Sequence, residues 1–217
     1  MLRLNLDLPE SGARKLLFLG AHSDDIELGC GGSILELLAA HPGTQVTWVV
    51  FSARGERRSE ALASADAFLA RAGARDVRTF EYPDSFFPQQ SGAIKQEFEA
   101  LKSVEPDLIF THHRADLHQD HRLLAELTWN TFRDHTILEY EIPKYDGDLG
   151  QPSVFVPIDL ANCEAKCRLV SEHFASQRAR HWFDPAVFMG LMRIRGMECR
   201  SATGYAEAFH ARKLVVG

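Results

Sequence analysis

The chain is short of cysteine, of long apolar runs and of basic charge, and each shortage excludes a class of protein. Its four cysteines among 217 residues, Cys30, Cys163, Cys167 and Cys199, form no C-x-x-C pair and no dense framework. The spacing therefore predicts free, buried thiols in a reducing compartment. Cys163 and Cys167 lie one helical turn apart and are expected to line a helix face rather than hold metal. No apolar run approaches the ~20 residues of a membrane span, so no transmembrane segment is expected. The opening MLRLNLDLPESG is too short and too polar for a signal peptide, and a cytoplasmic location follows as the expectation. A formal net charge of −6 supplies no broad basic field, which disfavours nucleic acid as a partner.

What is present is enough for a large core. With 45% hydrophobic and 25% charged residues, one domain spanning residues 1–217 can form without staples. Lys15 to Ala21 reads as a strand buried on both faces, because it is short and continuously apolar after one lysine. A glycine-rich turn and a helix over 33–40 follow. Strands over 45–51, 76–82, 106–112, 137–142 and 154–160 then alternate with helices over 57–73, 93–104, the stretch after 121, and 161–177. A last helix around AVFMGLMRIRGMEC and a short strand in AFHARKLVV close the chain. Strand and helix in alternation predict right-handed βαβ units, and so a Rossmann-like three-layer α/β sandwich with a mainly parallel sheet and helices on both faces.

Ligands of such sheets sit beyond the carboxyl ends of the strands, and both polar clusters of this sequence fall there. His22-Ser23-Asp24-Asp25 directly follows the first strand. His112-His113-Arg114-Ala115-Asp116-Leu117-His118-Gln119-Asp120-His121 follows the strand ending near Thr111. Imidazoles and carboxylates converging from two strand ends provide what hydrolytic zinc needs, three ligands with an open position. Adjacent Asp24 and Asp25 can serve two roles, since consecutive side chains point different ways. Either aspartate alone could instead cap the next helix. Of His112 and His113, neighbours on a strand, at most one can face the site. Glu27 is expected to contact the backbone at the helix start.

His22-Ser23-Asp24-Asp25-Ile26-Glu27 with Leu28-Gly29-Cys30-Gly31-Gly32 resembles the AHPDDE-LGCGG signature of the PIG-L/LmbE-like zinc-dependent N-acetyl-sugar deacetylases. Asp116, His118, Asp120 and His121 resemble that family's second motif, D-x-H-x-DH. Weaker matches are the R-x-x-E of Arg57 to Glu60, the strand-end Asp84 and YAEAF at 205–209. The resemblance implies that His22, Asp25 and His121 hold Zn2+, with Fe2+ or another divalent transition metal as a substitute, and that Asp24 is the general base. It implies that His118 stabilises an oxyanion or assists the leaving amine, with Asp120 holding its imidazole, and that Arg57 and Asp84 bind sugar hydroxyls or a phosphate. Ser23 departs from the family's proline and gives up a fixed φ. The implied substrate is a small amino-sugar conjugate of N-acetylglucosamine type, linked to a nucleotide, lipid or inositol. Another amide or ester, a non-catalytic carbohydrate-binding role and a homo-oligomer stay open, as does a sugar-stacking rim of Tyr145, Trp182 and Phe183.

Overall fold

Runs of β-branched and aromatic residues form the strands of one sheet, and amphipathic segments between them carry the chain back to its starting edge. The computed structural model describes residues 14–215; the reading of MLRLNLDLPESG lies outside them. In chain order the elements are β1 (Lys15–His22), α1 (Asp25–Ala40), β2 (Gln45–Ser52), α2 (Glu56–Phe68), β3 (Ala74–Thr79), α3 (Ser91–Leu101), β4 (Leu108–His112), α4 (Gln119–Thr131), β5 (Thr136–Tyr140), β6 (Val154–Pro157), α5 (Leu160–His173), α6 (Pro185–Glu198) and β7 (Ala206–His210). The strand order is β3-β2-β1-β4-β5-β7-β6. Strands β1 to β5 pair in parallel, and β7 runs against both β5 and β6. The winding reverses between β1 and β4, which opens a crevice at their carboxyl ends.

Alternation along each strand divides the core into two layers. Leu16, Phe18, Trp48, Val50, Phe110 and Tyr140 face one side, where Ile34, Leu38, Phe68, Val170, Phe188 and Met192 from the helices cover them. Leu17, Leu19, Val49, Phe51, Ile109 and Ile137 face the other, against Ile94, Phe98 and Leu124. The three-layer α/β architecture is thus the expected one. Cys163 and Cys167 are buried on α5, and all four cysteines are free. No helix among the described residues is long and apolar enough to cross a membrane.

The glycine-rich stretch departs from expectation. It is no turn: α1 begins at Asp25 and continues through it, kinked at Cys30, whose φ of −146° and ψ of 18° lie outside the helical range. The glycines serve close packing, since a Cβ on Gly29 would fall 2.2 Å from the Tyr140 ring and one on Gly32 would fall 2.5 Å from Ile158. The kink frees backbone groups that a buried ion pair claims. Lys166 Nζ donates to Leu28 O at 2.7 Å. The Glu207 carboxylate accepts from Gly32 N at 3.0 Å and Ser33 N at 2.7 Å, and from Lys166 at 2.6 Å. Elements β7 and α5 thereby hold the end of α1 that carries Asp25. Helix α2 is shorter than expected, stopping at Phe68. The chain then turns towards β3, with Gly73 N–H donating to Thr44 O at 2.8 Å.

Candidate metal and active site

The two strand ends deliver their clusters to one point. His22 is the last residue of β1, Asp25 the first of α1, and His121 sits in the first turn of α4. Asp25 folds back so that its Oδ2 accepts from His22 N at 2.7 Å. His22 Nδ1 lies 3.2 Å from His121 Nε2 and 3.3 Å from Asp25 Oδ2, and His121 Nε2 lies 3.4 Å from Asp25 Oδ2. A tetrahedral ion bound at about 2.0 Å has donor-to-donor edges of about 3.3 Å, so this triangle fits a zinc-sized cation.

The far nitrogens of both imidazoles explain which lone pairs face the triangle. His121 Nδ1 lies 2.9 Å from Asp116 Oδ2, and His22 Nε2 lies 3.1 Å from Asp84 and 3.3 Å from Asp120. Carboxylates behind each ring turn His22 Nδ1 and His121 Nε2 towards the triangle, the orientation that metal-binding histidines take. Burial alone would lower the basicity of both rings, but Asp25, Asp120 and Asp84 hold His22 well above the usual imidazole range, and Asp25 and Asp116 raise His121. Burial likewise pushes Asp25 up, and His121, His22 and His112 outweigh it, keeping the carboxyl well below its usual range. The centre is built to hold positive charge.

Asp24 is buried beside this triangle. It stands at the N-cap position of α1, yet its side chain makes no capping hydrogen bond, so the capping alternative fails. Arg57 Nη2 donates to its Oδ1 at 2.7 Å, while Oδ2 has no partner. Burial raises its pKa against the opposing pull of Arg57. One oxygen is thus anchored and the other left free, in a carboxyl shifted towards neutrality, as suits a base. Arg57 also lies 3.6 Å from Glu60, whose carboxylate holds Ser176 N at 2.8 Å. Ser23 is buried, and its hydroxyl donates to Ser52 O at 3.4 Å, tying the loop to β2 where proline would have fixed it.

The second motif is arranged differently from the reading given to Asp120. Its carboxylate does not touch His118. It accepts from Ser85 N at 2.6 Å and Phe87 N at 3.1 Å and approaches His22. The backbone N–H of Asp120 is what orients His118, donating to Nδ1 at 3.3 Å. His118 is the N-cap of α4, where first-turn N–H groups are free to donate. This leaves the His118 proton on Nε2. Burial, with His121 and His22 nearby, lowers its pKa.

Asp84 and Arg57, read as sugar contacts, both meet residues of the cluster: Asp84 the back of His22, Arg57 the Oδ1 of Asp24. Asp116 and His112 are the contributors that sequence reading left without a role. Asp116 appears in the motif, but only the fold reveals that His121 is its partner. His112 faces the site and His113 faces away, towards Glu139 at 2.8 Å and stacked on His210. The His112 ring is buried and stacks on His121 at 3.9 Å. Its Nε2 accepts from Ala21 N at 2.9 Å, and burial drops its pKa to about 4. Glu27 is buried, with its own backbone N–H and Ser64 beside its carboxyl, and burial raises its pKa to about 8. Phe183 packs into the core, whereas Tyr145 is exposed.

Residues 17–132, which include every side chain of this cluster, match the family described as PIG-L: GlcNAc-PI de-N-acetylase. Over 149 residues the chain is 30% identical to the uncharacterized deacetylase YaiS of Escherichia coli K12, covering 63% of this chain and 78% of that protein. The N,N'-diacetylchitobiose deacetylase of Pyrococcus horikoshii is similar in structure, with a TM-score of 0.73 and 20% identity over 95% of this chain and 86% of that one. GalB, the 4-carboxy-2-hydroxymuconate hydratase of Pseudomonas putida KT2440, has a TM-score of 0.70 and 17% identity over 94% and 98% of the two chains. At these identities structural likeness speaks for the fold alone. The family match goes further: the chain belongs to the PIG-L family of deacetylases.

Proposed function

We propose that the protein is a zinc-dependent N-deacetylase that releases acetate and a free amine from a small N-acetylated amino-sugar conjugate. The observation that carries this reading is the free Oδ2 of Asp24 beside a metal-sized triangle of donors. A binding module has no use for a buried carboxylate oxygen without a partner, which costs stability. His22, Asp25 and His121 would hold the ion. When bound, zinc lowers the pKa of water and polarises a carbonyl.

The chain's own residues supply the proton chemistry. Asp24 Oδ2 takes a proton from the attacking water while Arg57 fixes Oδ1. His118 Nε2–H donates to the oxygen of the acetyl carbonyl as negative charge develops there. The proton held by Asp24 then passes to the amide nitrogen, the C–N bond breaks, and acetate and amine leave. Asp116 and Asp120 keep His121 and His22 in the tautomers this requires.

A second reading keeps the same water-activating set and adds water to a carbon–carbon double bond, the reaction named for GalB, which shares the fold. An acetate-release screen over N-acetylglucosamine in free, nucleotide-linked and lipid-linked forms, with and without a chelator, separates the two. The deacetylase reading expects chelator-sensitive acetate release from at least one conjugate. A zinc-loaded protein that releases none, yet hydrates an unsaturated acid, would establish the other.

A further inference from the structure

The loop after β5 puts a lysine behind the candidate metal ligands. Gly150 N–H donates to Glu141 Oε1 at 3.0 Å, and Arg195 of α6 donates to Glu141 Oε1 at 2.7 Å and to Gly150 O at 3.1 Å. The ends of the loop are thereby tied together. Across its middle, Asp148 Oδ2 accepts from Leu117 N at 2.8 Å. Lys144 pairs with that same Asp148 oxygen, and its Nζ also lies 3.1 Å from Asp116 Oδ2. The side chains of Lys144, Asp148 and Asp116 are only 11%, 7% and 4% exposed, so water and salt screen their charges little.

Asp116 Oδ2 thus faces two groups at once, the ammonium at 3.1 Å and His121 Nδ1 at 2.9 Å. A carboxylate behind a metal-binding histidine makes the ring a stronger ligand. An ammonium on the same oxygen takes up part of that carboxylate's charge and adds its own repulsion of a cation. Asp116 stays in place without the ammonium, because its Oδ1 accepts from His118 N at 2.7 Å and its N–H donates to His113 O at 3.0 Å. We propose that Lys144 is a positioning residue: it sets a positive charge behind His121, through Asp116, and so holds the metal affinity of the site below what the ligands alone would give. The inference rests on the reading of His22, Asp25 and His121 as ligands of a zinc-like ion. A less electron-rich ligand leaves the ion the better electrophile, which is what polarising a carbonyl needs. Asp148 works against Lys144, since it takes up part of the ammonium's charge. The two residues therefore act on the ion with opposite sign.

Competition with a fluorescent zinc chelator measures the affinity of the full chain without requiring turnover. Lys144→Met keeps the bulk of the side chain and removes its charge; it should bind zinc about 10-fold more tightly than wild type, the scale of change that partners behind a metal-bound histidine produce. Asp148→Asn still offers an oxygen to Leu117 N and should bind zinc more weakly, while Lys144→Arg should stay near wild type. A lysine that merely pinned the loop would weaken binding on removal, so unchanged or weaker binding in Lys144→Met overturns the proposal. Should that variant fail to fold, unchanged or tighter binding in Asp148→Asn overturns it instead. In an Asp116→Asn background the effect of Lys144→Met should shrink, and an effect of full size there overturns the route through Asp116. A wild type that binds no zinc removes the ligand reading itself, and the proposal with it.

Discussion

Two buried charged clusters flank the first half of α1, and they are finished to different degrees. In the Lys166–Glu207 cluster every charge is answered: the ammonium meets Leu28 O and Glu207, and the carboxylate meets Gly32 N, Ser33 N and Lys166. In the strand-end cluster two imidazole nitrogens and a carboxylate oxygen converge within 3.4 Å of one another, and Asp24 keeps an oxygen without a partner. Burying polar groups costs free energy unless they are paired. The first cluster is closed and therefore structural. The second brings His22, Asp25 and His121 into a triangle that fits a zinc-sized ion.

Removing one member from each cluster sharpens this contrast. His121→Ala should reduce zinc from about one per chain to near none and abolish acetate release, because two corners of the triangle remain; zinc content equal to wild type would exclude His121 from the ligand set. Lys166→Met should act on stability instead. It leaves Glu207 charged and buried and orphans Leu28 O, for a cost of about 3–5 kcal/mol, readable by denaturant unfolding. A loss below about 1 kcal/mol would break the comparison. Asp116→Asn keeps the size of the residue behind His121 but removes its charge, and should weaken zinc affinity by about 10- to 100-fold. Competition with a chelator measures this, and unchanged affinity would show that Asp116 does not orient the ring.

A further effect concerns a slope with pH. Glu27 has a folded pKa of about 8 against about 4.3 for a free glutamate. Between these values the unfolded chain is ionised and the folded one is not, so stability falls as pH rises through this window and the loss is complete above about 8. In chelated protein, Glu27→Gln should remove that slope and stabilise more at pH 8 than at pH 4. An equal effect at both values would mean that Glu27 is ionised in the fold.

The strand-end cluster was legible because its residues crowd into two short segments at strand-to-helix junctions, where sequence proximity and spatial proximity coincide. The α/β layering was legible for a similar reason: apolar strands alternate with helical segments at short spacing. The closed cluster was not, because Lys166 and Glu207 lie 41 residues apart and their target is backbone. Residues Leu28 to Gly32 read as a turn on glycine content alone, whereas their glycines answer to Tyr140 and Ile158, contacts that only strand order creates. The family resemblance assigns Asp120 to His118. On a helix start the side chain and the N–H of one residue point to different places, and here the N–H goes to His118 while the carboxylate goes to the 85–87 loop.

Catalysis at this site depends most directly on Asp24. Acetate release by Asp24→Asn, compared with wild type at matched zinc content, should fall by about 10²- to 10⁴-fold, the range general-base catalysis contributes, with zinc still near one per chain. An undiminished rate at full zinc occupancy would contradict it.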